Sequence, residues 1–292
     1  MISRSDRIGR LAILLVIGLS VGPVVYGLVY GLFYAFGGTG LLSRTWSFRP
    51  VLSVLTSPET WKSILFSLWI TLLSLSVSIS ISLAIVLQLV TRACSGFAKT
   101  LFMMSVSVPS VVVGFILFQW FSASGWVFRL LSIDAGSGFV ADPLGIGIIL
   151  GHMVFGIPFL SLLFLALYDA TQMKRLLQTA VSLGCSRFRS VFSVAVPVLL
   201  GRARSNLVLL GVAFFGSYEL PWLLGRQSPE MISVMIYRKY ALFDLADKPE
   251  AFALSLLFAL TVGVVVTWIF RGQKLDRSPG MTPHTGDRWN VS

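Results

Sequence analysis

Long apolar runs alternate along the chain with short polar breaks that carry nearly all of its charge. The runs fall at roughly 11–36, 62–90, 101–121, 144–167, 205–224 and 251–270. A helix needs about 20 mostly apolar residues to cross a bilayer, so the pattern predicts an all-α, polytopic membrane protein with six transmembrane helices. The second run holds Ser74, Ser76, Ser78, Ser80 and Ser82 in alternation with apolar residues, which is a strand period. That run is far longer than the roughly 9–11 residues a transmembrane strand needs, and a helix is expected. On a helix Ser74, Ser78 and Ser82 share one face, and Ser76 and Ser80 another. Small residues let neighbouring helices approach closely; a serine-lined substrate path is the other reading. Pro109, Pro158 and Pro221 lie within or at the ends of runs. Each removes a backbone donor and bends its helix, as a packing kink or as part of a moving gate.

Charge orients the runs. With both termini in the cytoplasm, the inner segments hold 15 of the 23 Lys and Arg but only four of the 12 acids, Asp6, Asp169, Asp276 and Asp287. The outer segments balance, so the whole net charge of +11 falls on one face. The positive-inside rule requires this, and the opposite orientation would violate it. The basic excess therefore needs no nucleic acid to explain it. Only 12% of residues are charged, against about 25% in soluble domains. Cys94 and Cys185 are both placed on the cytoplasmic side, where thiols stay reduced, and no spacing suggests a metal. Arg4, Arg7 and Arg10 before the first run mimic a signal peptide. The run exceeds a signal's apolar core of about 7–15 residues, so a retained helix is expected. Three regions follow: 1–59 with the first helix and an extracytoplasmic loop, 60–270 as the main transmembrane domain, and 271–292 as a polar, disordered cytoplasmic tail.

One cytoplasmic segment, Lys174 to Pro197, is too charged and interrupted to span. Leu176, Leu177, Ala180 and Val181 lie at helical spacing. Gly184 offers a left-handed helix end, and Ser186 an N-cap for a second short helix. Phe188, Val191, Phe192 and Ala195 then form one apolar face. Two short helices joined at a glycine make a knuckle below the membrane. Either it lies on the lipid surface or it docks on a partner.

This segment resembles the cytoplasmic loop of permease subunits in binding-protein-dependent ABC importers of the type I, MetI-like fold. That family carries Glu-Ala-Ala, three residues, a glycine, then about a dozen residues ending in an apolar residue and Pro. Here Gln178, Thr179 and Ala180 are followed by three residues, Gly184, and Val196-Pro197 thirteen residues on. The resemblance covers about 60–270 and places the coupling loop at 168–197. It implies that Gln178, Thr179, Ala180, Gly184, Phe188, Phe192 and Pro197 meet an ATPase subunit. It also implies a second permease subunit, the same or homologous, and an extracytoplasmic solute-binding protein, in a bacterial inner membrane. Gln178 departs from the family's acid and cannot form its usual ion pair, so docking would lean on the apolar face.

The interior holds almost no ionisable groups to couple an ion gradient. His152 lies in the fourth run and Glu219 near the outer end of the fifth; both are candidate pathway-lining residues. His152 reads also as a packing hydrogen-bonder, and Glu219 as a side chain reaching the outer surface. No GxxxxGK[ST] phosphate loop occurs, so no cofactor is expected on this chain and ATP would act at the partner. An ion-coupled secondary transporter and an integral-membrane enzyme are the competing classes. The first lacks coupling charges, and the second lacks clustered His, Cys, Asp or Glu, since the remaining histidine, His284, lies in the tail. The stretches FFGSYELPWLLG and YRKYALFDLADKPEAFALSLLF (residues 214–225 and 237–258) resemble the polyamine, thiamine, phosphonate or ferric-iron branch. Glu219, as the one acid placed within a run, favours a small organic cation such as a polyamine or thiamine.

Overall fold

The computed structural model describes residues 4–38, 46–90, 95–132, 139–241 and 248–274. Helices follow in the order α1 (Arg4–Ala35), α2 (Arg49–Thr56), α3 (Pro58–Leu89), α4 (Ser95–Val106), α5 (Ser110–Phe121), α6 (Trp126–Leu131) and α7 (Ile146–Ala170). They continue as α8 (Met173–Ser182), α9 (Arg187–Ser190), α10 (Val196–Phe215), α11 (Glu219–Leu224), α12 (Ile232–Ala241) and α13 (Lys248–Lys274). No strand occurs among the described residues. Six segments are long and apolar enough to cross a membrane: Ile13–Ala35, Pro58–Leu89, Ser110–Leu131, Ile146–Ala170, Arg187–Phe215 and Lys248–Thr267. The protein is a multi-pass membrane protein.

The pair α3 and α7, which run parallel (Ser74 beside His152, Ser82 beside Ile157), forms the centre of the bundle. Its contact is built from small residues. Ser67, Ser74, Ser78 and Ser82 are completely buried on one stripe of α3, while Ser76 and Ser80 on another face are exposed. A Cβ at Gly156 of α7 would lie 2.7 Å from Ser78 Oγ, so the two backbones meet where only glycine fits. The serine alternation is therefore helix packing, as in the close-approach motifs of membrane helices. Pro158 is accommodated inside α7, and Ser82 Oγ donates to the adjacent Ile157 carbonyl at 3.0 Å.

Two buried clusters anchor the ends of this pair. At the inner end Leu83, Val86, Leu160, Phe164 and Tyr168 enclose Met173 of α8 and Leu199 and Ala203 of α10. At the outer end Phe66, Ile70 and Ile148 enclose Leu220 and Leu224 of α11 and Met231. Helix α1 is exposed along most of its length and packs at its outer end, where Gly31 meets Phe252 and Ala35 is buried.

Two predicted runs need correction. The third, placed at 101–121, is broken: Pro109 cannot donate into the preceding turn, so α4 stops at Val106 and α5 starts at Ser110. The fifth, placed at 205–224, begins earlier and ends sooner. Helix runs without a break from Arg187 to Phe215, because a π-turn at Val191–Ala195 absorbs the donor that Pro197 lacks. It ends before Gly216. The tail placed at 271–292 starts as the last turn of α13, and its remainder with His284 lies outside the described residues, as does Cys94.

Ion pairs form within each end of the bundle. Outer residues pair among themselves: Arg238 meets Glu230 at 2.6 Å and Glu59 at 3.3 Å, and Lys239 meets Glu250 at 2.6 Å. The hydrogen bond to Glu230 leads the effects that raise the Arg238 pKa above its ordinary value. On the inner side Lys99 lies 3.7 Å from Asp169.

Candidate functional site

The inner site is the knuckle between α7 and the membrane portion of α10. Gly184 has φ +90°, a conformation that costs a residue with a Cβ about 1–2 kcal/mol. Cys185 N donates to the Ala180 carbonyl at 3.1 Å and Gly184 N to Val181 at 3.0 Å. These are the two hydrogen bonds of a Schellman end. Ser186 then caps the next helix, its Oγ accepting from Arg189 N. Both punctuation residues thus act as the sequence predicts.

The predicted second short helix does not end at the knuckle. Its residues Arg187–Ser190 are the first turn of the fifth span. Twenty-nine residues without a break make a rod of about 43 Å at 1.5 Å per residue. Phe188 and Phe192 pack with ring centroids 4.7 Å apart, tilted at 49°, on its exposed surface. Leu183, just before the glycine, is 83% exposed and is the most open apolar side chain of the knuckle. The pattern missed it because a single leucine next to a glycine has no periodicity. Thr179 is exposed and Ala180 half-buried. Gln178 lines a cavity of about 790 Å³ between α8 and the inner end of α3, with Leu87, Tyr168 and the cations Lys174 and Arg187. Pro197 is exposed at the start of α10. All seven residues expected on the coupling surface therefore lie in one continuous stretch, but Gln178 also faces inward to the cavity.

The outer site surrounds the break after α10. Glu219 is not inside the fifth span; it lies in the first turn of α11, is exposed, and has no hydrogen-bond or ion-pair partner among the described residues. Beside it Tyr218 stacks on Trp222 at 6.3 Å and meets Tyr237 of α12 at 4.9 Å. Trp222 and Tyr237 are each at least half exposed. His152 does not line an open path. It is 2% exposed, stacked on Phe214 at 4.4 Å, and held by Ser74 and Ser217. No group of three His, Cys, Asp or Glu side chains that could hold a metal occurs among the described residues.

No protein-family model matches the chain. Among solved structures, one similar chain belongs to a bacterial alginate ABC transporter in complex with an alginate pentasaccharide-bound periplasmic protein. The two superpose with a TM-score of 0.68 at 19% identity, over 94% of this chain and 97% of that one. A second belongs to a bacterial ABC transporter involved in the import of the acidic polysaccharide alginate, with a TM-score of 0.64 at 17% identity, over 94% and 99%. The chain has the fold of an ABC-transporter membrane subunit. The match runs over almost the full length of both chains.

Proposed function

We propose that this protein is the permease subunit of an ABC importer in a bacterial inner membrane, forming the solute path and driven by a separate ATPase subunit. The observation that carries this reading is the knuckle. An apolar surface of Leu183, Phe188 and Phe192 projects from the charged side of the molecule, and it sits on the end of a rod continuous with a membrane span. A surface helix lying on lipid needs no such connection. A second permease copy or homologue and an extracytoplasmic binding protein complete the assembly, and hydrolysis belongs to the partner. The test is co-purification from mild detergent. An ATP-hydrolysing subunit that travels with the wild type, is lost in Leu183→Asp, and is kept in a control at exposed Ser76 supports the reading. Solute uptake driven by an ion gradient, with no such subunit, refutes it.

For the solute, the reading is a small organic cation such as a polyamine or thiamine. Glu219, an exposed carboxylate without a partner among the described residues, directly follows Tyr218, which packs with Trp222 and Tyr237, and aromatic rings together with a carboxylate suit a cation. The same rings also suit a sugar. The fold neighbours belong to alginate transporters, so an acidic polysaccharide is the second reading. Glu219 opposes that reading, since it would repel uronate groups. Uptake of labelled putrescine, thiamine and alginate oligosaccharide by wild type and Glu219→Gln separates them. Loss of cation uptake in the variant supports the first reading; oligosaccharide uptake that the variant preserves or improves supports the second.

A further inference from the structure

The outer end of the fifth span is fastened to the centre of the bundle through one buried histidine. His152 of α7 lies between α3 and the residues that follow α10. Its Nδ1 is 3.3 Å from Ser74 Oγ on α3, and its Nε2 is 2.9 Å from Ser217 Oγ. A neutral imidazole has one donor and one acceptor, and a serine hydroxyl can play either part, so both contacts are satisfied in either tautomer. The ring lies flat on Phe214, with an interplanar angle of 11°.

Ser217 is the middle residue of the break between α10 and α11. Gly216 on one side is closely covered: a Cβ there would lie 3.0 Å from the tip of the Phe258 ring. The Ser217 carbonyl accepts from Ser233 Oγ near the start of α12. Everything on the cytoplasmic side of this point, back to Arg187, is one helix. A tilt of the membrane portion of this helix therefore arrives at Gly216–Tyr218, the first break in the helix after the knuckle. Phe214 and Leu220 pack on α7 at Gly156 and Gly151, and among the described residues the side-chain hydrogen bond that ties this point to the α3–α7 pair is the one from His152.

We propose that His152 is a positioning residue, and that its bond to Ser217 is the latch holding the outer break shut against the rod until the knuckle is driven. The proposal rests on the importer reading for what moves the knuckle, but the latch itself is a property of this chain. Releasing it frees the 216–224 segment and lets the knuckle move without load.

Two measurements test it. The first is hydrogen exchange on the purified chain in detergent, followed at 216–224. Ser217→Ala and His152→Ala speed exchange there by roughly fivefold, the factor expected for one lost hydrogen bond, whereas Ser74→Ala leaves that segment unchanged. His152→Gln, whose amide reaches the place of Nε2, restores protection. His152→Asn, which reaches only the place of Nδ1, does not. The second is basal ATP hydrolysis by the complex with its ATPase subunit, which rises several-fold in Ser217→Ala and in His152→Ala and stays at the wild-type level in His152→Gln. Unchanged exchange at 216–224 in Ser217→Ala overturns the latch, and so does rescue by Asn in place of Gln. A chain with the expected exchange pattern but no ATPase partner leaves the latch standing and removes the importer reading instead. Ser217→Ala keeps the test decisive even where the His152 variants fail to insert, since it removes one hydroxyl and no packing volume.

Discussion

Phe188 and Phe192 pack with their ring centroids 4.7 Å apart, tilted at 49°, and both lie exposed at the knuckle end of a helix long enough to cross a membrane. Paired aromatic rings left open to water mark a surface that something else covers. If that cover is an ATPase subunit, truncating the pair removes contact without disturbing the bundle. Phe188→Ala with Phe192→Ala should insert normally and bind the ATPase at least tenfold more weakly, the factor for about 1.4 kcal/mol. Surface-immobilised binding of the ATPase to detergent-purified permease reads this directly; unchanged affinity would remove the pair from the interface.

Gly184 is a backbone requirement rather than a space requirement. A Cβ added there meets nothing within 4 Å, but φ is +90°. Gly184→Asn, which tolerates the left-handed region, should transport better than Gly184→Val, with membrane insertion equal in the two. Equal transport by both variants would show that the Schellman end at Gly184 is dispensable.

The knuckle was legible because its two punctuation residues, Gly184 and Ser186, carry local rules that do not depend on the rest of the fold. The continuity of α9 with α10 was not legible. Arg187, Arg189, Arg202 and Arg204 gave the stretch a polar look, and Pro197 argued for a helix start. The structure overrides both with a π-turn and by burying Ala195, Leu199 and Ala203 against α3 and α7. The outer site was legible in part. Glu219 was found, but its place depends on where α10 ends, which Gly216 and its contact with Phe258 decide. The partners of His152 could not be read at all, since Ser74 and Ser217 lie 78 and 65 residues away in sequence.

Gly156 and Ser78 set the distance between the two central helices. A Cβ at Gly156 would lie 2.7 Å from Ser78 Oγ and 3.0 Å from Phe214. Gly156→Ala should lower the thermal midpoint of the purified chain by several degrees, on the scale of about 1–3 kcal/mol for an overpacked core. Ser78→Gly in the same chain should recover part of the loss, because it removes the nearer obstacle. A double variant no more stable than Gly156→Ala alone would place the strain at Phe214 instead.

Lys239 and Glu250 pair at 2.6 Å, and Ser53 Oγ donates to the same carboxylate at 2.7 Å. The cluster ties α2, α12 and α13 together at the outer surface. Glu250→Gln keeps the shape and loses the charge. Its expected cost is about 1 kcal/mol, the upper end for an ion pair that water still reaches, and that cost should shrink in 1 M salt. Thermal melting of wild type and variant at low and high salt checks this; a difference that does not respond to salt would mean that the serine bond, not the ion pair, holds the cluster.

Cys185 lies at the tip of the knuckle, directly after Gly184, and supplies a native probe of the central claim. The decisive measurement is site-directed cross-linking of Cys185, in a chain that carries Cys94→Ser, to single cysteines on the ATPase subunit in native membranes, with and without Mg-ATP. The coupling account predicts a specific cross-linked product from the cytoplasmic side, with a yield that changes when ATP binds. A Cys185 that reacts from the extracytoplasmic side, or that cross-links to no position on an ATPase shown to be present, would contradict it.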